Sequence, residues 1–276
     1  MSERRQLRPL GEFPLAERAQ IRALLTDIDD TLTDRGRLPA ASYDAMERLR
    51  EAGLIVVPVT GRPAGWCDLI ARQWLVDAVV GENGAFYFRY LDREKRMQRV
   101  HALDADSRAA NRARLEAIKA EVLAEVPGAA VAADQAYREA DLAIDYAEDM
   151  APLPPAAIDR IAAIFERHGA TAKVSSIHVN GWYGAYDKLS MARRLLAEAF
   201  AIDADADRAS IVFLGDSPND GPMFRHFPQA VGVANVLDFA GRLAEKPHWV
   251  TRARGAAGSV ELAEALLAAR RAEEPV

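Results

Sequence analysis

Short apolar runs recur along the chain, and each ends in a polar or glycine-rich loop. The runs cover residues 23–25, 55–59, 78–80, 211–214 and 230–233. Helical patterns lie between several of them, with "AASYDAMERLREAG" before the second run and "KLSMARRLLAEAF" before the fourth. Alternating strands and helices predict a doubly wound α/β fold, a parallel sheet with helices on both faces. Ligands bind such sheets at the carboxyl ends of the strands, where these loops fall.

The middle of the chain has a different pattern. "AFYFRYLDREKRMQRVHA" predicts a hairpin around a charged turn, and "LAIDYAE" and "TAKVSSIHVNG" alternate like strands. Apolar residues at helical spacing separate these segments at residues 115–126 and 156–168. We therefore predict a small α+β domain over residues 86–182, inserted into a core formed by residues 1–85 and 183–276. Within the insertion, Asn180 and Gly181 are expected to form a turn.

The composition excludes several classes of function. The 276 residues contain 35 Lys and Arg against 41 Asp and Glu, a net charge of −6. That balance gives no general attraction for nucleic acid or an anionic membrane surface, so we expect neither partner. The single cysteine, Cys67, excludes an intrachain disulfide and is typical of a reducing compartment. Because no segment has the pattern of a signal peptide or a membrane helix, we expect a soluble cytoplasmic protein. We also expect a monomer or a homodimer.

Acidic residues are crowded after two of the apolar runs. "ALLTDIDDTLTD" places Asp27 and Asp29 on one side of a strand end, and "IVFLGDSPND" places Asp216 and Asp220 after another run. Neighbouring carboxylates need a countercharge, or one of them must keep its proton. A hard divalent cation meets the first need and an acid–base residue meets the second. A calcium loop of the EF-hand type needs Gly where this chain has Leu32, and a helix cap explains only one of the acids.

Two further stretches add a hydroxyl group and cations. "VPVTGRP" supplies Thr60, Gly61 and Arg62 after a strand, and "YGAYDKLSMA" places Lys188 at the start of a helix. In this order the four stretches resemble the motifs of the haloacid dehalogenase (HAD) superfamily of phosphatases. "DIDDT" at residues 27–31 matches the first motif, Thr60 the second, Lys188 the third, and "GDSPND" at residues 215–220 the fourth. The commonest form of the first motif has Gly where this chain has Asp30.

Two loops narrow the resemblance to one subfamily. "VVGENGAFYF" and "AVGVAN" are similar to loops of the HAD proteins that carry an insertion between the second and third motifs. That subfamily includes Cof-type sugar phosphatases, sucrose phosphatase, trehalose-phosphate phosphatase and mannosyl-3-phosphoglycerate phosphatase. The resemblance implies that the inserted α+β domain is a cap that selects the substrate.

The resemblance also implies a mechanism. It implies that the protein is a Mg²⁺-dependent phosphatase that acts on a small phosphorylated metabolite, such as a sugar phosphate or a glycosyl-phosphoglycerate. Asp27 would be the nucleophile that forms an aspartyl-phosphate, and Asp29 the general acid and base. The carboxylates of Asp27 and Asp216 and the backbone carbonyl of Asp29 would hold Mg²⁺. The phosphate- and substrate-binding residues it implies are Thr60, Gly61, Arg62, Lys188 and Asn219, with Asp220 orienting Lys188 or metal-bound water.

Alternatives stay open at this point. A phosphomutase would return the phosphoryl group to a sugar instead of water, and a protein that only binds a phosphorylated metabolite would keep the fold. Arg62 either reaches the substrate or is a solvated helix cap. The insertion offers a candidate substrate rim formed by Arg138, Lys173, His178 and Asn180.

Overall fold

Parallel strands form the central sheet. The structure is a computed structural model and describes residues 7–239, 241 and 243–273. The strands within these residues are β1 (Arg8–Pro9), β2 (Ala23–Thr26), β3 (Ile55–Pro58), β4 (Val79–Gly81), β5 (Phe86–Leu91), β6 (Arg96–His101), β7 (Ala130–Val131), β8 (Leu142–Asp145), β9 (Thr171–Val174), β10 (His178–Trp182), β11 (Ile211–Gly215), β12 (Gln229–Gly232) and β13 (Trp249–Val250). The central sheet has the order β1-β13-β12-β11-β2-β3, and each neighbouring pair is parallel.

Helices cover both faces of this sheet. The α-helices of the described residues are α1 (Leu15–Ala19), α2 (Ala40–Glu51), α3 (Ala64–Gln73), α4 (Ala105–Glu125), α5 (Pro155–Arg167), α6 (Lys188–Phe200), α7 (Gly221–His226) and α8 (Gly255–Glu273). Leu24 and Val212 pack in one apolar cluster with side chains of α2 and α8. Leu25 and Phe213 point the other way and pack with α6 and α7. Because successive strand residues face opposite sides, these clusters confirm the predicted doubly wound α/β core.

The predicted hairpin packs against this core. β5 pairs with both β4 and β6, and a parallel bridge between Val59 and Val80 joins β4 to the edge next to β3. Phe86 and Tyr87 lie in the apolar clusters on the two faces of the core. The domain boundary at residue 86 stays a prediction, and the packing of the hairpin favours a boundary nearer residue 102.

A second α+β layer is inserted between β6 and α6. Its antiparallel sheet has the order β7-β8-β10-β9. Apolar residues of α4 and α5, among them Ile118 and Phe165, form a separate cluster with this sheet. We call this layer, residues 105–182, the cap.

The turn in the last part of the cap lies elsewhere than the sequence predicts. Asn180 and Gly181 are inside β10, so the expected turn at these residues is wrong. A Cβ atom at Gly181 would lie 2.0 Å from Cδ1 of Phe165, so the strand needs glycine where that ring packs on it. The chain instead turns at residues 175–177, where Oγ of Ser175 accepts the backbone N–H of His178 at 3.0 Å. In the part of the chain that the structure describes, no helix has the length and apolar character needed to cross a membrane.

Candidate active site

Strand ends bring the first and fourth acidic stretches together. β2 and β11 are parallel neighbours, with Thr26 opposite Leu214. The backbone N–H of Asp27 donates to the carbonyl of Leu214 at 2.8 Å, so the pairing continues up to the acid itself. Asp216 follows the end of β11 directly, and both acids are buried. Their position is therefore fixed by the register of the two central strands.

Lys188 is directed into this site by the start of α6. Asp187 caps the helix by accepting the backbone N–H of Ser190 at 2.7 Å. The Nζ atom of Lys188 lies 2.6 Å from Oδ1 of Asp27 and 2.8 Å from Oδ1 of Asp220. Burial opposes the charge on Lys188, but Asp220 and Asp27 raise its pKa above the ordinary value. The lysine is therefore a buried ammonium group between two carboxylates.

Three buried acids cluster at this site, and two of them, Asp27 and Asp220, contact the ammonium group. Oxygen atoms of Asp27, Asp216 and Asp220 lie within 4.8 Å of one another. Burial raises the pKa of Asp27 to about 7, with Lys188 acting against it, and burial also raises the pKa of Asp216 well above its usual value. Charges on neighbouring acids contribute to both shifts. A buried, all-oxygen set with excess negative charge fits a hard divalent cation such as Mg²⁺.

The loop after β3 brings the second motif to the same edge of the sheet. Thr60 is fully buried, and its Oγ1 accepts the backbone N–H of Arg62 at 3.0 Å. Its carbonyl accepts the backbone N–H of Asn83 at 3.0 Å, and the carbonyl of Gly61 accepts from Arg138 at 2.9 Å. Since β3 is the neighbour of β2, this loop opens beside the loop that carries Asp27.

Arg62 is buried and paired with acids, which excludes the solvated helix cap. Its Nε donates to Oδ2 of Asp29 at 2.9 Å, and its Nη2 donates to Oδ1 at 2.8 Å. The same Nη2 donates to Oε1 of Glu148 in the cap at 2.7 Å. The ring of Trp66 lies 4.3 Å from the guanidinium carbon. Sequence reasoning missed Glu148, whose only signal was its place as the last residue of the predicted strand "LAIDYAE".

Asp30 has a backbone conformation that favours glycine. Its φ is +56°, in the left-handed region, where Asn and Asp are the most frequent residues after Gly. This accounts for Gly at the same position in the commonest form of the motif. The Asp30 carbonyl accepts from Nδ2 of Asn235 at 2.8 Å, which ties the loop to the region after β12.

A small cavity lies between these loops and the cap. Its volume of about 20 Å³ has room for little more than one water molecule. It is lined on the core side by Asp27, Asp29, Gly61, Arg62, Asp216, Ser217 and Asn219, and on the cap side by Ser175, Ser176, Ile177, His178 and Asn180. Thr60, Lys188 and Asp220 are buried and hydrogen-bond to lining residues. The predicted site residues therefore form one cluster, and the cap closes it.

The four residues of the candidate rim have different positions. His178 and Asn180 line the cavity. Lys173 is exposed on β9. Arg138 is buried in ion pairs with Asp134 and Asp141, so it belongs to a buried network and not to the rim.

Glu82 connects this network to the core. Its Oε1 accepts the backbone N–H groups of Ala64 at 3.0 Å and Glu139 at 2.9 Å. Its Oε2 accepts those of Ala140 at 2.7 Å and Asp141 at 3.1 Å. One buried carboxylate therefore binds three consecutive amides of the cap, next to the loop that holds Thr60.

Comparison with known proteins agrees with the motifs. The family model of haloacid dehalogenase-like hydrolases matches residues 24–123, a segment that contains Asp27, Asp29, Thr60 and Arg62. Proteins named phosphoglycolate phosphatase are similar in sequence. That of Methanospirillum hungatei is 38% identical over 72 residues, which are 24% of this chain and 30% of the relative. That of Haloarcula marismortui is 28% identical over 227 residues, which are 81% of this chain and 88% of the relative.

The chain thus spans 30% of the length of the first relative, and also 30% of a second one from Methanoculleus marisnigri.

Solved structures match over most of the chain. A Thermoplasma acidophilum protein has a TM-score of 0.68 at 19% identity, covering 89% of this chain and 98% of its own. The sucrose-phosphatase of Synechocystis, solved with sucrose and phosphate, has a TM-score of 0.61 at 17% identity, covering 90% and 98%. At such identities the likeness shows the fold. The chain is therefore similar to the haloacid dehalogenase-like hydrolases over residues 24–123, and it shares its fold with the solved structures named above.

Proposed function

We propose that the protein is a Mg²⁺-dependent phosphatase that hydrolyses a small phosphorylated metabolite through an aspartyl-phosphate. The observation that carries this proposal is the contact of Lys188 with Asp27 and Asp220, beside Asp216, at the ends of adjacent strands. A buried ammonium group next to a carboxylate nucleophile can offset the charge of an incoming phosphate.

Each residue of the cluster has a role in this reaction. Asp27 attacks phosphorus, and Asp29 gives a proton to the leaving oxygen and later takes one from the attacking water. The hydroxyl of Thr60 already accepts a hydrogen bond from Arg62, so its proton is available for a phosphoryl oxygen. Gly61 and Asn219 line the cavity and are further candidates for phosphate binding. Asp220 keeps Lys188 directed at Asp27.

The acidic cluster is suited to hold the metal ion. Asp27 and Asp216 would bind Mg²⁺ through their carboxylates, and Asp29 through its backbone carbonyl. The ion would supply positive charge where the phosphate and the nucleophile repel each other. Three buried acids beside a single ammonium group need such a charge to remain ionised together.

The cap side of the cavity favours a polar substrate. Ser175, Ser176, His178 and Asn180 offer hydrogen-bonding groups to a sugar hydroxyl or a carboxylate. We therefore propose a sugar phosphate or a glycosyl-phosphoglycerate as substrate. The names of the relatives add phosphoglycolate to the candidates. A cytoplasmic location and a monomer or homodimer remain predictions.

Phosphate release from a panel of these compounds tests the proposal. We expect release by the full-length protein with Mg²⁺, none after chelation, recovery on adding Mg²⁺, and poor activity with Ca²⁺, which prefers more ligands and longer bonds. Asp27→Asn should lose nearly all turnover because an amide cannot form the acyl phosphate. Asp106→Asn, the same change at an exposed position of α4, is the control.

Four results would contradict parts of this proposal. Full activity of metal-free protein would exclude the role of Mg²⁺. Activity of Asp27→Asn within about tenfold of wild type would exclude the nucleophile. A need for a sugar bisphosphate activator would indicate a phosphomutase, and binding without any turnover would indicate a binding protein.

A further inference from the structure

A single guanidinium group connects an acid of the core with an acid of the cap. Nη2 of Arg62 lies 2.8 Å from Oδ1 of Asp29 and 2.7 Å from Oε1 of Glu148. Arg62 itself is 3% exposed. The resemblance of the motifs assigns no role to Glu148, and the reaction described above does not use it.

The cap presents Glu148 through a fixed turn. Asp145 at the end of β8 is buried, and its Oδ1 accepts the backbone N–H groups of Ala147 at 2.9 Å and Glu148 at 2.8 Å. Its Oδ2 accepts the N–H of Asp149 at 3.0 Å. A carboxylate that binds three amides in succession holds the chain in one conformation. The direction of Glu148 is therefore set by the cap sheet.

An imidazole ring lies beside the carboxylate of Glu148 on a second side. Nε2 of His178 lies 2.9 Å from Oε2 of Glu148, and His178 is opposite Asp145 in the cap sheet. Burial alone would raise the pKa of Glu148, but its contacts with His178 and Arg62 lower it to about 2. Glu148 is therefore an ionised group in a fixed position.

The contacts of Arg62 differ in what they restrain. Trp66 covers one face of the guanidinium group and restrains its tilt. The hydrogen bonds to Asp29 join the two side chains into one planar pair, which can still swing as a unit. From the cap, Glu148 accepts a hydrogen bond from Nη2 at 2.7 Å, and Asp134 lies farther away, 3.6 Å from Nη1.

We propose that Glu148 is a positioning residue that fixes Arg62 and, through Arg62, aligns Asp29 for proton transfer when the cap is closed. This inference rests on the proposed function, in which a proton moves from Asp29 to the bridging oxygen as the bond between phosphorus and that oxygen breaks. Closure of the cap would then do two things at once, since it surrounds the substrate and completes the alignment of the acid.

Two esters of similar size separate this role from a merely structural one. Benzyl phosphate releases an alkoxide and needs the proton, whereas p-nitrophenyl phosphate releases a stable phenolate and does not. The quantity to compare is kcat/KM, because it covers the steps up to phosphoryl transfer and excludes the later attack of water, which is the same for both esters.

We expect Glu148→Ala to lower kcat/KM for benzyl phosphate by about tenfold or more and for p-nitrophenyl phosphate by less than about threefold, because general acids contribute about 10²–10⁴-fold. Glu148→Gln keeps an oxygen that can accept the hydrogen bond from Arg62. Its kcat/KM for benzyl phosphate should therefore fall less than that of Glu148→Ala. Asp29→Asn should show the same dependence on the leaving group, more strongly. Asp149→Ala removes an exposed acid one residue away and should change neither value.

Equal losses on both esters, or no loss on either, would overturn the role of Glu148. The midpoint of urea unfolding shows whether Glu148→Ala is folded, and if it is not, Glu148→Gln decides by the same comparison. A wild-type protein that hydrolyses no ester would overturn the proposed function as well. A wild-type protein that hydrolyses benzyl phosphate, with Glu148→Ala matching Asp149→Ala, would overturn this inference alone.

Discussion

Asp27 and Asp216 are each buried at a strand end with other acids close by. Burial raises the pKa of both carboxyl groups, to about 7 for Asp27. A cation among them competes with protons, because only the ionised carboxylates bind it. When no metal ion is bound, these carboxyl groups therefore bind protons in its place.

This competition predicts that the apparent affinity for Mg²⁺ depends on pH. A carboxyl group with a raised pKa keeps its proton below that pKa, so Mg²⁺ must displace the proton there and binds more weakly. We expect the affinity to fall by about tenfold per pH unit for each displaced proton as the pH drops below about 7. Isothermal titration at pH 6, 7 and 8, in buffers of different ionisation enthalpy, measures both the affinity and the protons released.

Asp216→Asn is the matched variant for this titration, because it should weaken binding and release fewer protons. An affinity that stays constant between pH 6 and pH 8, with no proton release, would contradict the prediction.

Sequence spacing was sufficient to locate the residues that stand on regular elements. Asp27, Thr60 and Asp216 follow strands, and Lys188 begins a helix, so hydrophobic periodicity places all four. Glu148 could not be placed in this way. Its position depends on the turn that Asp145 organises and on the docking of the cap, and both are tertiary features.

At the scale of elements, Glu82 connects the core with the cap through four hydrogen bonds. Each of its two carboxylate oxygens accepts two backbone N–H groups. Three of these four donors belong to residues 139–141. Arg138 lies next in the chain and pairs with Asp134 and Asp141. The segment before β8 is therefore attached to the core by a filled set of hydrogen bonds.

Glu82→Gln is expected to destabilise the protein although it preserves the shape of the side chain. The amide nitrogen of Gln would face two N–H donors and could accept from neither. Leaving buried donors unsatisfied costs about 1–3 kcal/mol in the free energy of unfolding. Urea unfolding measures this loss. Glu51→Gln, the same change at an exposed position of α2, should have no effect, and equal stability of the two variants would contradict the role of Glu82.

The limits of sequence reasoning at this scale have physical causes. β1 and β13 have only two residues each, too few for a period to appear. The hairpin of β5 and β6 was predicted, but its pattern does not tell which sheet it joins. Gly181 was read as a turn residue, whereas its lack of a side chain makes room for Phe165 from another element.

At the scale of the whole molecule, the cap leaves a cavity of about 20 Å³ over the acids. A phosphate ester is several times larger, and clefts of about 450 and 290 Å³ adjoin this cavity and share Ser176 and Ile177, respectively, with it. The turn at residues 175–177 is the part of the cap that covers the cavity. Substrate choice should therefore depend on this turn more than on the outer strands of the cap.

We predict that Ser176→Ala lowers kcat/KM for the best substrate of the panel by about ten- to a hundredfold, the value of one hydrogen bond to a buried polar group. The same variant should spare p-nitrophenyl phosphate, whose leaving group needs no polar partner from the cap. Lys173→Ala, an exposed change on β9, is the control and should affect neither substrate. Equal losses of Ser176→Ala on both substrates would assign Ser176 to cap closure instead.

The position of this turn also bears on how such a protein can diversify. Residues 175–177 connect two adjacent antiparallel strands, β9 and β10, at their ends. Connections of this kind tolerate inserted residues, because the strands on either side keep their pairing. A longer connection would reach further over the phosphate and could contact a larger leaving group. Insertions at this one point could therefore give descendants of the chain new substrates, while the strand ends that carry Asp27 and Asp216 stay as they are.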